Sequence, residues 1–276
     1  MTLTGPVLQG EYYLSVVDEA ELLDAEIGAF TADIGYWESL IDSLRPERIL
    51  ELGCGTGRLL IPLAKRALGH RPGARVVGLD ISQPLLDAAA ARLVSEPDVA
   101  AAVKLVHGDM TKFDLDEQFD LILIAFNGFA FVIGQEGQLG CLQAVRRHLA
   151  PEGRFAIDLL VPQVVWLAVS ERTAPLRLDF DLADPSPAMR RLLRYGTERY
   201  DPVRQVDDTI YHYEIYAADG SVERKTIDLA WQMIFPNELR LLLPLSGLQV
   251  VEQFGDYDRG PFDRKSRQYL WVAAAS

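Results

Sequence analysis

Arg48-Ile49-Leu50-Glu51-Leu52-Gly53-Cys54-Gly55-Thr56-Gly57-Arg58 is the stretch on which the fold turns. It opens as a short apolar strand and passes into a turn in which glycine alternates with small residues before a helical pattern begins. Glycine has no Cβ, so such a turn takes positive φ and lets a ligand approach the main chain at the start of a helix. The glycines stand at 53, 55 and 57, whereas a dinucleotide fingerprint G-x-G-x-x-G would place its third at 58, where the chain has the long, charged Arg58. A pyrophosphate is therefore a poor fit. A ligand-free strand-to-helix turn would account for the glycines alone, so the flanking segments decide.

Three segments downstream repeat one pattern, an apolar run with a polar residue at or just past its carboxyl end. Arg75-Val76-Val77-Gly78-Leu79-Asp80 ends in an acid placed to accept both hydroxyls of a ribose, or else to cap the helix beginning near Ser82-Gln83-Pro84. Val103-Lys104-Leu105-Val106-His107-Gly108-Asp109-Met110 carries the next acid, and Gly-Asp alone is common at turns. Phe119-Asp120-Leu121-Ile122-Leu123-Ile124-Ala125-Phe126-Asn127 is the near-continuous apolar run of a strand covered by helices on both faces.

In order and position these segments resemble the class I S-adenosylmethionine-dependent methyltransferases, whose first motif reads E/D-x-G-x-G-x-G. The resemblance covers about residues 48–160, with a weaker echo over 236–273. The closing pattern Gly255-Asp256-Tyr257-Asp258, Pro261-Phe262 and Tyr269-Leu270-Trp271-Val272-Ala273 is similar to bacterial small-molecule members, sugar and glycine N-methyltransferases among them. It implies an α/β fold, a Rossmann-like doubly wound seven-stranded sheet with N-terminal helices and an inserted small antiparallel β-sheet. It implies S-adenosylmethionine as cofactor, held by Glu51, Gly53, Gly55, Gly57, Asp80, Ile81, Asp109, Met110 and Phe126. Asp109 would meet the adenine amino group and Met110 the ring face, while the end of the fourth strand would face the reacting methyl.

Composition sets bounds. With 276 residues and 49% apolar content the chain can bury one large core and carry an accessory lobe. A net charge of −13 works against a groove that must neutralise many phosphates, so nucleic acid is excluded as a partner. Cys54 and Cys141 offer no disulfide framework and no metal-ligand spacing, which points to the cytoplasm and to no metal. The sequence has no apolar run of about 18 residues and no signal-peptide pattern, so neither membrane nor export is expected.

Periodicity divides the chain into an N-terminal helical cap (1–44), a cofactor domain (45–165 and 236–276) and an inserted antiparallel β lid (166–235). Strand–helix alternation argues for βαβ units in the second of these, where Pro62 is tolerable only in the first turn of its helix. From about Arg190 to Phe235 long alternating stretches with an Asp219-Gly220 turn read as a β meander, one face packed and the other open to solvent or a cavity. Tyr211 and Trp231 on that meander, Tyr12 and Tyr13 near the start, and Asn127 at a strand end are the acceptor-contact candidates; cross-strand or tail packing is the alternative for each aromatic. His212 is the histidine weighed as a base, and alternation sets it opposite Tyr211 and Tyr213. No catalytic residue is named. The expected activity is N- or O-methylation of a small-molecule acceptor by in-line displacement, with a homodimer as the candidate assembly. A regulatory protein that keeps the cofactor site without the chemistry, and a nicotinamide-dependent oxidoreductase, are the other readings.

Overall fold

A computed structural model describes residues 19–276. In chain order the elements are α1 (Glu19–Ile27), α2 (Ile34–Leu44), β1 (Arg48–Leu52), α3 (Leu60–His70), β2 (Arg75–Asp80), α4 (Gln83–Leu93), α5 (Pro97–Ala100), β3 (Val103–His107), β4 (Phe119–Ile124), α6 (Gln135–His148) and β5 (Leu149–Leu160). There follow α7 (Val164–Thr173), β6 (Arg177–Ser186), β7 (Met189–Asp201), β8 (Val206–Ala217), β9 (Val222–Gln232), α8 (Pro236–Leu245), β10 (Leu248–Phe254) and β11 (Gln268–Ala275). Two compact units result: residues 27–161 with 234–276, and residues 162–233 with 19–26.

The first unit is built on a seven-stranded sheet ordered β10-β11-β5-β4-β1-β2-β3. β1 to β5 pair in parallel, and β11 runs antiparallel to β5 and β10. β1, β2 and β4 are buried almost throughout because helices cover both faces, which is why they read as continuous apolar runs. On one face Tyr36, Trp37, Leu40 and Ile41 of α2 pack with Leu60 and Leu63 of α3 and Leu86 of α4 over Ile49, Leu121 and Leu123. Pro62 falls in the first turn of α3, and Ser82 caps α4 by accepting the Leu85 N–H at 3.4 Å. From β1 the chain winds outward through β2 and β3, then returns to the other side of β1 for β4 and β5. The strand order thus reverses between β1 and β4, and crevices for ligands open at the carboxyl ends of such a switch point.

The second unit is a four-stranded antiparallel sheet ordered β6-β7-β8-β9. Its turn at Asp219-Gly220 has Gly220 at φ 90°, with the Ser221 N–H on Asp219 Oδ1 at 2.9 Å. Leu192, Tyr213, Ile215 and Ile227 share one face and bury Leu22 of α1. His212 lies on the other face, half-buried and against Thr226 Oγ1 at 3.0 Å, so alternation removes it from the set that includes Tyr211 and Tyr213.

Two boundaries differ from expectation. The helices assigned to one cap over 1–44 belong to different units, since α1 buries Leu22 on the small sheet and α2 buries its apolar stripe in the large core. The meander also gains a strand before Arg190: in β6 the apolar Leu178, Phe180 and Leu182 alternate with Asp179, Asp181 and Ala183, and the acids together with Asp184-Pro185 give that run the look of a loop. The small unit accordingly runs from 162 to 233 rather than from 166 to 235.

Candidate active site

The turn after β1 has the geometry its glycines suggest, with Gly53, Gly55 and Gly57 at φ 76°, 53° and 79°. Left-handed backbone costs an L-residue roughly 1–2 kcal/mol, so glycine is the residue type this path selects. The turn is tied to the end of β2: Leu79 O accepts the N–H groups of Gly53 at 2.7 Å and Cys54 at 3.1 Å. Asp80 Oδ2 accepts the Gly55 N–H at 2.8 Å, and its Oδ1 accepts the Ser82 N–H at 2.9 Å. Burial pushes this carboxyl up, against the pull of its backbone donors. Asp80 is thus a brace between β2 and the glycine turn, and its carboxyl keeps acceptor capacity beyond these backbone donors.

Glu51 is buried with Oε2 unpartnered, and burial drives its carboxyl well above the usual range. An orphaned carboxyl oxygen under the glycine turn is an acceptor awaiting a donor, such as the ammonium of an amino-acid moiety. A Cβ built on Gly53 would stand 3.3 Å from Met110 Cε, which places Met110 over the turn. Ile81 and Phe126 are each 38% exposed, an apolar pair left uncovered at the carboxyl edge of the sheet. Asp109 holds its own turn: Oδ1 accepts the Thr111 N–H at 2.9 Å and hydroxyl at 2.8 Å, and Lys112 Nζ lies 3.4 Å from Oδ2. Burial raises the Asp109 carboxyl, but Thr111 and Lys112 outweigh it and hold the group below its ordinary value.

Arg58 enters the site in a way its sequence position does not announce. Its guanidinium forms a two-pronged pair with Asp33 at 2.8 and 2.7 Å, donates to Phe30 O at 2.9 Å, and lies 5.7 Å from the Phe30 ring and 5.2 Å from the Phe126 ring. Asp33 and Phe30 went unnoticed in the sequence, since nothing in a lone acid 25 residues upstream marks it as the partner of Arg58. Asp158, at the end of β5, accepts the Tyr257 hydroxyl at 2.6 Å and the Phe126 N–H at 3.2 Å on Oδ2, and burial pushes it up to about 6. Asn127 Oδ1 accepts the Leu160 N–H at 3.1 Å, so that side chain ties two strand ends together.

In the small unit the Arg194 guanidinium sits 4.1 Å from the Tyr211 ring centroid and pairs with Glu26 at 2.7 Å and Asp179 at 3.1 Å. Tyr211 is therefore a packed residue, its hydroxyl pushed up to about 12 by burial. Trp231 faces the buried Asp207 across the β8–β9 register. Tyr12 and Tyr13 lie outside the described residues. The remaining histidines are structural, with His148 holding Ala144 O at 2.7 Å and the Leu115 N–H at 3.0 Å, and His107 against Ile81 O at 2.8 Å.

Residues 49–153, from β1 into β5, match the methyltransferase-domain family. A cypemycin N-terminal methyltransferase of Streptomyces is 27% identical over 87% of this chain and 88% of its own length. The structure of the CcbJ methyltransferase from Streptomyces caelestis superposes with a TM-score of 0.72 at 26% identity, covering 92% of this chain and 96% of the other. The chain is a class I S-adenosylmethionine-dependent methyltransferase. The fold is shared further with S-adenosylmethionine-bound CalS10, an amino pentose methyltransferase from Micromonospora echinaspora, at a TM-score of 0.67 and 20% identity over 96% of this chain and 98% of that one. Three other curated methyltransferases match over 56%, 49% and 41% of their own lengths.

The residues fit the cofactor of this methyltransferase. Glu51 offers an unpaired acceptor, Asp80 remaining acceptor capacity, the glycine turn an approach free of side chains, and Met110 with Ile81 and Phe126 an apolar surface. When bound, S-adenosylmethionine supplies a sulfonium-activated methyl carbon. The protein's part is to hold the acceptor in line with it and to exclude water. Among the described residues no helix is long and apolar enough to cross a membrane.

Proposed function

We propose that this methyltransferase acts on nitrogen, transferring a methyl group to an amine on a small molecule or a short peptide. The observation that carries the proposal is the match to the cypemycin N-terminal methyltransferase, which runs over 87% of this chain and so extends beyond the cofactor domain. The sugar N-methyltransferase KedS8 and the glycopeptide N-methyltransferase MtfA share the fold. The acceptor chemistry agrees with the site. A neutral amine needs a proton acceptor at most, while a hydroxyl needs a general base beside it, and the sequence supplies no histidine at the carboxyl edge except His107, whose ring is already held by Ile81 O. A net charge of −13 favours a cationic acceptor over a nucleic acid.

The inserted unit is proposed to carry the acceptor determinants, with Trp231 as the first residue to test and Tyr211, packed under Arg194, as the comparison, and two copies of the chain to form the working assembly. Cofactor contacts are assigned to Glu51, Gly53, Gly55, Gly57, Asp80, Ile81, Asp109, Met110 and Phe126. The experiment is turnover of S-adenosylmethionine against amino sugars, short peptides with a free N-terminal amine, and phenols, with the product mass and the methylated atom read by mass spectrometry and NMR. Methylation of an amine supports the proposal, and methylation confined to phenols or sugar hydroxyls overturns it. Trp231→Ala should raise the acceptor KM at least fivefold and leave S-adenosylhomocysteine binding as it was.

A further inference from the structure

At the exit of β4 two successive residues that are not glycine have left-handed backbone, Phe126 at φ 49° and Asn127 at φ 61°. Asparagine tolerates this region, but a bulky aromatic residue there is a strained outlier, and such strain persists only where the surroundings over-determine it. The end of β5 does so. Asp158 Oδ2 accepts the Phe126 N–H at 3.2 Å, the Asp158 main-chain carbonyl accepts the Asn127 N–H at 3.2 Å, and Asn127 Oδ1 accepts the Leu160 N–H at 3.1 Å. The same Asp158 Oδ2 receives the Tyr257 hydroxyl at 2.6 Å, from the connection between β10 and β11. Asp158 is only 2% exposed, and both side-chain bonds fall on one of its carboxyl oxygens, Oδ2.

The place of this turn is what gives it a consequence. It lies at the switch point, next to the glycine turn of β1, and it aims the half-exposed Phe126 ring at Phe30, 5.2 Å between centroids, and at the Arg58 guanidinium, also 5.2 Å away. A connection that only had to leave β4 would need neither a left-handed phenylalanine nor a buried acid to hold it.

We infer that Asp158 and Tyr257 are positioning residues for methyl transfer, which lock the Phe126–Asn127 turn in its left-handed form and through it fix the Phe126 ring at the mouth of the cofactor site. Each acts through the Phe126–Asn127 turn. The inference rests on the assignment of methyl transfer, and its test has readings that need no acceptor.

Two variants remove the lock to different degrees. Tyr257→Phe deletes one donor and almost no volume, while Asp158→Asn keeps the shape but places an amide where the carboxylate was. Each full-length variant is compared with the wild type by hydrogen exchange of peptides covering 124–131 in saturating S-adenosylhomocysteine, by calorimetry with that ligand, and by turnover with an acceptor found in the panel. Exchange over 124–131 should rise at least threefold in Tyr257→Phe and tenfold in Asp158→Asn, with exchange over 48–58 unchanged. The Kd for S-adenosylhomocysteine should stay within threefold, and kcat should fall in step with the exchange while the acceptor KM stays level. Unchanged exchange at 124–131 overturns the inference, as does a rise spread evenly over both segments or a loss seen in KM alone. If no acceptor is turned over by the wild type, the proposed function fails, while the exchange result still decides the role of the lock.

Discussion

The Asp158 carboxyl makes a prediction about stability that can be worked from its surroundings. Burial at the end of β5 pushes it from an ordinary 3.8 up to about 6, and the Tyr257 hydroxyl and Phe126 N–H, which favour the ionised form, only partly oppose that. Asp33 and Arg58 are the charged groups acting on it from outside the lock, the first raising it and the second lowering it. A carboxyl raised in the folded state binds its proton more tightly there than in the unfolded chain. Its contribution to stability is therefore full below about pH 4 and is lost as the pH rises through about 6. About two pKa units at 1.36 kcal/mol each give a loss of about 3 kcal/mol between pH 4 and pH 7. Asparagine does not titrate. The difference in stability between the wild type and Asp158→Asn should thus move by about 3 kcal/mol in favour of the variant over that range, whatever constant offset the amide introduces. Glu51 and Asp80 are also raised by burial, but both are present in wild type and variant and cancel in the difference. Native-state hydrogen exchange of the β1 and β5 amides, at pH 4, 5, 6 and 7, reports on the unit that holds Asp158. A difference flat to within about 0.5 kcal/mol, the ordinary scatter of surface changes, would refute the reasoning, as would a shift of the opposite sign.

Asp80→Ala should weaken S-adenosylhomocysteine binding by about 1–3 kcal/mol by calorimetry, and should also lower unfolding stability by a similar amount, because the Gly55 and Ser82 N–H groups lose their acceptor; a stability loss with intact affinity would place the ribose elsewhere. Gly53→Ala forces a Cβ to 3.3 Å from Met110 Cε at φ 76°, and about 1–2 kcal/mol of strain together with a displaced Met110 should appear as weaker ligand binding in the same assay. Asp109→Ala separates two roles: loss of affinity for an adenosine ligand but not for its inosine counterpart means the carboxylate meets the adenine amino group, and equal losses mean it serves only the Thr111 turn.

The parts of this protein that were legible in the sequence are those that residue type alone enforces. Three alternating glycines predict left-handed backbone because no other residue adopts it without strain, and Gly53, Gly55 and Gly57 all do. Runs such as Leu121 to Ile124 predict a strand buried on both faces because no half-exposed strand needs them, and these residues are all buried. The order of the four strand-end motifs then sets the topology with few alternatives. What was illegible depends on side chains that meet across long separations. Arg58 served in the sequence only to rule out a dinucleotide motif; its partner Asp33 belongs to a segment whose periodicity shows a helix but not which acid turns inward. The same holds for α1, where a single buried leucine, Leu22, settles its unit and nothing in the pattern singles it out.

Asp158 is the instructive case. A strand-end acid is equally suited to orienting substrate or to plain structure, and the residue alone does not separate the two. The separation comes from Phe126, whose left-handed backbone no phenylalanine in a sequence announces, and from Tyr257, 99 residues away. A strained turn is a property of the assembled surroundings, so a residue that maintains one is visible only once they are assembled. Cofactor sites built from main chain are therefore readable early in such enzymes, while the side chains that set the line of attack come into view only with the fold.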